Sequence, residues 1–180
     1  MLQPKRRRRL SLIALLTSIL GVLAIAGVTA PDASALSGNF LQNQYTALCL
    51  SIPGNNYYDG QVVDQYGCGG YGDQYWMTSG SDSHPGFYYV VLSEDQNLCL
   101  THLTPFQNSQ LTVSWCGWDA SQGTLNQLWY NVYDSSFGAN EMRSWVDDWC
   151  LSIPGANTGW SVPVNTWPCG PYPDQHWAFV

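Results

Sequence analysis

The sequence predicts an all-β domain made of three similar repeats that close into one barrel. Short runs rich in β-branched and aromatic residues alternate with glycine, proline, asparagine and aspartate, which is typical of strands joined by tight turns. After residue 35, no convincing amphipathic helical stretch interrupts them. The same motifs recur about every fifty residues. Many short strands favour a barrel or a sandwich, and three-fold repetition favours a closed barrel with pseudo-three-fold symmetry.

The strand pattern is clearest in three segments, residues 86–92, 111–115 and 127–133. Each is short and carries the aromatic and β-branched residues that strands favour. Asp59-Gly60 is a dipeptide typical of a hairpin turn. These segments therefore predict strands, with turns between them.

The repeats are most evident in the first and third units. The letters CLSIPG begin at Cys49 and again at Cys150, and a second cysteine follows 19 residues later at Cys68 and at Cys169. A Gln-x-Trp motif starts six residues after that second cysteine in both units. The middle unit is looser, with 17 residues between its cysteines and an insertion around residues 119–124. The three motifs are Gln74-Tyr75-Trp76, Gln127-Leu128-Trp129 and Gln175-His176-Trp177.

Six cysteines in this part of the chain predict disulfides. No C-x-x-C pair supports a zinc or redox site, and an even number of cysteines behind a secretion signal is typical of a disulfide framework. Pairing within each repeat is the simplest of the fifteen arrangements. It closes three loops of under twenty residues, each worth about 3 kcal/mol in the chain-entropy model. The predicted pairs are Cys49–Cys68, Cys99–Cys116 and Cys150–Cys169.

Residues 1–35 have the pattern of a secretion signal peptide. A basic run at residues 5–9 precedes an apolar stretch at 10–28, and Ala33-Ser34-Ala35 has the spacing that signal peptidase recognises. The alternative is an uncleaved membrane anchor, but serine, threonine and glycine weaken the apolar stretch. We therefore expect a secreted, extracellular domain at 36–180, with repeats at about 39–85, 86–138 and 139–180.

The domain that remains after cleavage is strongly acidic. Five of the six basic residues lie in the signal, so only Arg143 is left. Twelve of the thirteen acidic residues stay, which gives a formal charge near −11. Nucleic acid and anionic lipid are poor partners for such a surface because phosphate is bound by lysine and arginine. A neutral sugar or a basic protein remains allowed, and the acids also favour solubility.

Three units of about fifty residues, each with a C-L-x element, a second cysteine and a Gln-x-Trp, resemble the ricin-B lectin family of β-trefoils. The resemblance spans residues 39–180 and implies a β-trefoil that binds carbohydrate. It assigns a structural role to the motif. Trp76, Trp129 and Trp177 are expected in the core, and the glutamines are expected to satisfy backbone groups where the chain turns.

The resemblance also implies sugar sites in the first and third repeats. In ricin-type sites an aspartate follows C-L, an aromatic ring lies two residues before the second cysteine, and an asparagine precedes the glutamine. Rings stack on the apolar face of a sugar, and carboxylates accept hydrogen bonds from its hydroxyls. The candidate residues are Ser51, Asp64, Tyr66 and Asp73 in the first repeat, and Ser152, Asn165, Trp167 and Asp174 in the third.

This sequence departs from the family pattern at the aspartate. Ser51, Thr101 and Ser152 stand at that position, and a neutral hydroxyl binds more weakly than a carboxylate. Either Asp73 and Asp174 take over the carboxylate role, or all three pockets are lost. The middle repeat has Ser114 at the ring position, so we expect its site to be inactive.

Further aromatic residues lie in predicted loops outside the family pattern. Tyr57 and Tyr58 follow the CLSIPG motif of the first repeat, Trp160 follows that of the third, and Trp118 lies at the middle-unit insertion. Some of these rings are expected to cap the barrel core. Exposed ring clusters, in contrast, usually mark binding surfaces.

The sequence gives little support to an enzyme. No nucleophile-elbow, zinc-protease or phosphate-loop motif is present, and the three histidines are scattered. His176 is expected on the surface, and Asp147-Asp148 would point to opposite faces of a strand. We predict a monomeric carbohydrate-binding module without cofactor or metal. The alternatives are a β-trefoil scaffold that binds proteins or inhibits proteases, and a lectin subunit that serves a separate toxin or hydrolase.

Overall fold

The computed structural model describes residues 38–118 and 125–180, which fold as a β-trefoil. The expected signal peptide and the insertion at 119–124 lie outside the described residues. Thirteen strands and five single 3-10 turns make up the described part, in which no helix is long and apolar enough to span a membrane. The strands are β1 Asn39–Asn43, β2 Cys49–Ser51, β3 Asp64–Tyr66, β4 Tyr75–Gly80, β5 Tyr88–Leu92, β6 Leu98–His102, β7 Ser109–Trp115, β8 Trp129–Asp134, β9 Ala139–Ser144, β10 Cys150–Ser152, β11 Val162–Pro163, β12 Asn165–Trp167 and β13 His176–Phe179.

Antiparallel pairing closes the barrel. The first strand, β1, pairs with the last, β13, and also with β4, so the two ends of the domain are joined. Long hairpins β4–β5 and β8–β9 connect successive repeats. The segment predicted at 111–115 lies in β7, whereas those at 86–92 and 127–133 begin two residues before β5 and β8, and Asp59-Gly60 forms a turn.

Each repeat contributes one short hairpin with the same register. Ser51 pairs with Asp64 in β2–β3, Thr101 with Thr112 in β6–β7, and Ser152 with Asn165 in β10–β12. A ring of backbone hydrogen bonds ties the three hairpins together. The amide of Val63 donates to Leu111 (3.1 Å), that of Leu111 to Val164 (2.9 Å), and that of Val164 back to Val63 (3.1 Å). The predicted pseudo-three-fold β-trefoil is therefore confirmed.

The core is built from the apolar positions that the repeats share. Its largest side chains are Trp76, Trp129 and Trp177, which are at most 2 % exposed. Each indole N–H donates to the carbonyl of the leucine in the C-L element of its own repeat, at 3.0, 3.1 and 3.0 Å. Aliphatic residues fill the space between the rings: Leu41, Leu50, Ile52, Val63, Val90, Leu92, Leu98, Leu100, Leu111, Val113, Leu151, Ile153 and Val164.

The glutamine of each motif holds the turn that carries the second cysteine. Gln74 accepts from the amide of Gly69 (2.9 Å) and donates to the carbonyl of Gly67 (2.9 Å). Gln175 makes the same pair of bonds with Gly170 and Pro168. The three disulfides form within the repeats as predicted, Cys49–Cys68, Cys99–Cys116 and Cys150–Cys169.

The expectation that His176 lies on the surface is wrong, because its side chain is 1 % exposed. Strand alternation does separate it from Trp177, but the β8–β9 hairpin covers the outer face of β13. Phe137, in the turn of that hairpin, stacks on the imidazole at 4.2 Å between ring centroids. Asp134 lies 3.3 Å from its Nε2. A long neighbouring hairpin thus buries a position that alternation alone places outside.

Asp147 and Asp148 also differ from expectation, because they lie in the turn between β9 and β10 and not on a strand. Asp147 faces buried His102, with 3.6 Å between its Oδ2 and the imidazole Nδ1. Asp148 instead contacts Arg143 and Tyr130. The two carboxylates therefore belong to separate contacts.

The indole hydrogen bonds predict a specific stability cost. Trp129→Phe removes the donor to Leu100 and part of a fully buried ring, so the free energy of unfolding should fall by about 1–3 kcal/mol. Urea denaturation of the oxidised protein measures this. The matched control is Trp115→Phe in the same repeat, where the ring is 56 % exposed and the change should stay within about 0.5 kcal/mol. Equal effects of the two substitutions would show that the core role is misassigned.

Candidate functional site

Two pockets of similar size open at equivalent positions in the first and third repeats. The first pocket has a volume of about 470 Å³, and the third pocket about 480 Å³. The structure gathers all eight candidate residues into these two spaces. Ser51, Asp64, Tyr66 and Asp73 line the first pocket, and Ser152, Asn165, Trp167 and Asp174 line the third. Their role in binding stays a prediction, but the four positions are the same in the two repeats.

Three elements of one repeat position each pocket. In the first repeat, Ser51 ends β2 and Asp64 begins β3, directly across the hairpin. Tyr66 ends β3 opposite Cys49, whose disulfide to Cys68 holds the chain just beyond the ring. Asp73 lies in the 3-10 turn Gly72–Gln74, which the motif glutamine anchors.

A serine and an aspartate bond to each other in both pockets. The hydroxyl of Ser51 donates to Oδ2 of Asp73 at 2.5 Å, and the backbone amide of Ile52 donates to the same oxygen at 3.2 Å. In the third repeat, Ser152 donates to Asp174 at 2.7 Å and the amide of Ile153 at 2.9 Å. Each pocket therefore holds a carboxylate in contact with the serine that stands where the family has aspartate.

Each pocket also contains a buried acceptor that the protein leaves unused. Asp64 and Asn165 occupy equivalent positions and are 4 % and 2 % exposed. The Oδ1 atom of each makes no hydrogen bond with the described residues. A buried polar atom without a partner costs about 1–3 kcal/mol, and such atoms are rare in folded proteins. The hydroxyl of Thr112, at the same hairpin position of the middle repeat, is likewise buried without a partner in the described part of the chain, so the unpaired atom belongs to this position in all three repeats. In the first and third repeats the unpaired acceptor belongs to a residue that lines a pocket.

Asp64 gives the first pocket an acid–base property that the third lacks. Burial, and to a smaller extent the negative charge of Asp73, together raise the pKa of Asp64 from 3.8 to about 6. The equivalent residue of the third pocket, Asn165, does not titrate. Its amide instead donates to Oδ1 of Asn108 at 2.5 Å. The two pockets thus share a geometry but differ in charge.

The middle repeat uses its equivalent residues differently. Thr101 donates its hydroxyl to the carbonyl of Cys99 (2.8 Å) and accepts from Gln127 (3.0 Å), so the hydroxyl faces its own backbone. His102 stands where the other repeats have Ile52 and Ile153, and it is fully enclosed. At the ring position the chain has Ser114. This repeat therefore lacks both the ring and the serine–aspartate pair at the corresponding positions.

His102 is part of a buried polar network in the middle repeat. Its Nε2 lies 2.9 Å from the hydroxyl of Thr166 and its Nδ1 lies 3.2 Å from that of Ser144. Burial lowers the pKa of His102, although the neighbouring carboxylate of Asp147 opposes this effect. The network replaces an apolar contact of the other two repeats with hydrogen bonds across repeat boundaries.

Several lining residues lie outside the eight candidates, among them Tyr71 in the first pocket and Tyr172 in the third. Two others come from a different repeat than the pocket they line. Ser161 of the third repeat lines the first pocket, and Asn108 of the second repeat lines the third pocket. Both have positive φ, 57° and 65°. Tyr66 and Trp167 are the platform rings of the two pockets. The backbone N–H of Ser161 donates to the carbonyl of Gln65, beside Tyr66, at 2.8 Å. That of Asn108 donates to the carbonyl of Thr166, beside Trp167, at 3.1 Å. The repeat pattern assigns each residue to its own unit and gives no signal that a loop of one repeat lines the pocket of another.

The strand order and the three equivalent hairpins define a β-trefoil. The family model of the ricin-type β-trefoil lectin domain matches residues 39–177. The chain belongs to this family. A comparison with curated protein sequences finds no match.

Solved structures of low sequence identity share the fold. The designed three-fold symmetric protein ThreeFoil is 21 % identical with a TM-score of 0.68, over 79 % of this chain and 96 % of that one. The ricin B-like lectin of Macrolepiota procera, solved in complex with lactose, is 14 % identical with a TM-score of 0.62, over 82 % and 96 %. The C-half of the earthworm R-type lectin, solved in complex with GalNAc, is 12 % identical with a TM-score of 0.59, over 78 % and 95 %.

The raised pKa of Asp64 predicts a pH-dependent stability. The folded state binds a proton at this carboxyl more tightly than the unfolded state, so the group destabilises the fold above about pH 6, and this loss disappears as the pH falls towards 4. Asp64→Asn should therefore raise the free energy of unfolding by about 1–3 kcal/mol at pH 8 and by little at pH 4. Urea denaturation at both pH values measures this.

Asp82→Asn is the matched control, because Asp82 is exposed in a loop and this substitution removes the same charge. It should change stability little, by about 0.5 kcal/mol at either pH. If Asp64→Asn destabilises the protein at pH 8, the carboxylate of Asp64 stabilises the fold as a hydrogen-bond acceptor, and the prediction that its ionised form destabilises the fold is wrong.

Proposed function

We propose that this protein is a secreted carbohydrate-binding module that holds sugars in the first and third pockets. One observation carries the proposal: two equivalent pockets each combine a half-buried ring, a serine–aspartate pair and an unused buried acceptor. Sugars present an apolar C–H face and a rim of hydroxyl donors, so the three components match the two kinds of sugar surface. Membership of the ricin-type lectin family supports the same ligand class.

In this proposal the family's carboxylate has changed its position along the chain without leaving the pocket. The ricin-type pattern puts the carboxylate after C-L and the amide before the glutamine. Here serine follows C-L, and Asp73 and Asp174 precede the glutamines. Two donors already orient Oδ2 of each aspartate, which fixes the carboxylate without an induced fit. Asp73 and Asp174 are therefore assigned as the charged acceptors for sugar hydroxyls.

Secretion is part of the proposal and rests on two features. The leading basic and apolar segments have the order of a signal peptide. All six cysteines are in disulfides, which persist in oxidising compartments outside the cytosol.

A second candidate is a scaffold that binds a basic protein. The observation in its favour is charge: Arg143 is the one basic side chain after residue 35 apart from histidines, and it is paired with Glu141 and Asp148. The surface negative charge is therefore largely uncompensated. This candidate does not use the two repeated pockets, so loss of the pocket rings separates the two functions.

The ring residues predict a loss of sugar binding without a loss of folding. Tyr66→Ala and Trp167→Ala should each weaken binding in their own pocket by about 10- to 100-fold, because stacking is lost. Both rings are partly exposed, so the free energy of unfolding should fall by less than about 1.5 kcal/mol. Screening on a broad glycan panel followed by calorimetric titration measures both effects.

Trp115→Ala serves as the control, because this exposed tryptophan lies outside both pockets. Its glycan binding should match that of the wild type. Silence of folded wild-type protein across the panel would overturn the lectin proposal and favour the basic-protein candidate.

The changed position of the carboxylate can be tested by moving it back to the position that follows C-L. Asp174→Asn should weaken sugar binding in the third pocket by about tenfold, the loss of one charged hydrogen bond. Adding Ser152→Asp restores the order of the family pattern and should recover most of the affinity. A Tyr66→Ala background silences the first pocket during these titrations. If the double variant binds no better than Asp174→Asn alone, the carboxylate is not interchangeable between the two positions and the assignment is wrong.

A further inference from the structure

Trp160 extends the first pocket from a neighbouring repeat. Its side chain is 63 % exposed, and its ring centroid lies 4.9 Å from that of Tyr66 at an interplanar angle of 52°. Trp160 is not itself a lining residue of the pocket. It adjoins the pocket through Tyr66 and Ser161, which both line it. The two rings thus form an open corner at the pocket rim.

The backbone around Trp160 is held in place by the strand that carries Tyr66. The side-chain amide of Gln65 donates to the carbonyls of Asn157 (2.7 Å) and Gly159 (2.8 Å). The backbone N–H of Ser161 donates to the carbonyl of Gln65 at 2.8 Å. Hydrogen bonds therefore fix the chain on both sides of the tryptophan. A large apolar ring held exposed on a fixed backbone, and not folded into the core, is typical of a ligand contact.

Gly67 provides the surface against which the indole packs. A Cβ atom at Gly67 would lie 3.1 Å from Cζ2 of Trp160 and 3.4 Å from Cε2. A side chain at this position would therefore push the indole away from Tyr66. The third repeat has Pro168 at the equivalent place. The first repeat thus has room for the extra ring where the third repeat carries a bulkier residue.

The third pocket has no equivalent of Trp160. Asn108 corresponds to Ser161, since both have positive φ, line the pocket of another repeat and donate to the strand of its platform ring. The residue before Asn108 is Gln107, where the other loop has Trp160. Besides Asp64 in place of Asn165, the first pocket therefore differs from the third by an additional aromatic ring at its rim.

We propose that Tyr66 and Trp160 form two adjacent subsites, so that the first pocket selects oligosaccharides over monosaccharides whereas the third pocket does not. This inference rests on the proposed function. Two rings inclined at 52° present faces in different directions, and the apolar face of a single pyranose stacks on only one of them. Two linked sugar residues, rotated about their glycosidic bond, cover both. With Asp64 and Asp73 in the pocket, the oligosaccharide is one without carboxylate or sulfate groups.

The test uses the oxidised protein with Trp167→Ala, so that the first pocket alone binds. Calorimetric titration with monomers to tetramers of glucose, xylose, galactose and N-acetylglucosamine provides a matched length series. For the sugar that binds, the dimer should bind at least tenfold more tightly than the monomer. Trp160→Ala should remove that gain and leave monomer binding within twofold, whereas Trp160→Phe should keep part of it. Gln107→Trp in a Tyr66→Ala background should add a length preference to the third pocket.

The outcomes separate the two proposals. Equal binding of monomer and dimer, or equal loss of both in Trp160→Ala, overturns the second subsite and leaves the proposed function standing. If the folded protein with both pockets intact binds no member of any series and no other glycan of the panel, the proposed function fails and the subsite fails with it. Circular dichroism of each variant confirms that the comparison is made between folded proteins.

Discussion

The pockets depend on the clamp that each Gln-x-Trp motif forms around its disulfide turn. The glutamine amide bridges the turn that follows the platform ring, and the tryptophan two residues later donates to the C-L carbonyl from within the core. The residue directly before the glutamine is therefore held in one position. In the first and third repeats that residue is the aspartate which bonds to the pocket serine. A structural motif thus fixes the position of the carboxylate that is proposed to bind sugar.

The same scaffold carries three different sets of side chains. The first pocket has two acids and a tyrosine ring that Trp160 of the third repeat adjoins, whereas the third pocket has one acid, an amide and a tryptophan ring. The second repeat has His102 in the core and a hydroxyl turned to its own backbone. In every repeat, the hairpin position of Asp64, Thr112 and Asn165 carries a buried polar atom that has no partner among the described residues, and burial raises the pKa of Asp64 to about 6. Such atoms lower stability, and in the first and third repeats they belong to residues that line the pockets proposed to bind sugar.

Much of the fold could be predicted from the sequence because the repeats are in phase. Three motifs at equal spacing predict a closed three-fold barrel, and they select one disulfide pairing among fifteen, which the structure confirms. The candidate residues could also be placed, since each lies at a constant distance from a cysteine or glutamine. Burial of His176 was not predictable from alternation, because the covering ring of Phe137 comes from another hairpin.

Contributions across repeats could not be predicted either. A pattern with a period of about fifty residues assigns each residue to its own unit, whereas closure of the barrel brings the loop of one repeat onto the hairpin of another. Asn108, Ser161 and Trp160 reach their pockets in this way. The sequence also left open whether serine at the aspartate position empties the pocket. That question depends on a contact between residues 22 apart in the chain, Ser51 with Asp73 and Ser152 with Asp174.

The stoichiometry of sugar binding tests the central claim most directly. A calorimetric titration with the tightest-binding saccharide of the glycan panel counts the sites on the folded, oxidised chain. Two sites are expected for the wild type, one each after loss of Tyr66 or Trp167, and none after loss of both. A single site that survives both substitutions, or three equal sites, would contradict the account of two functional pockets on a three-fold scaffold.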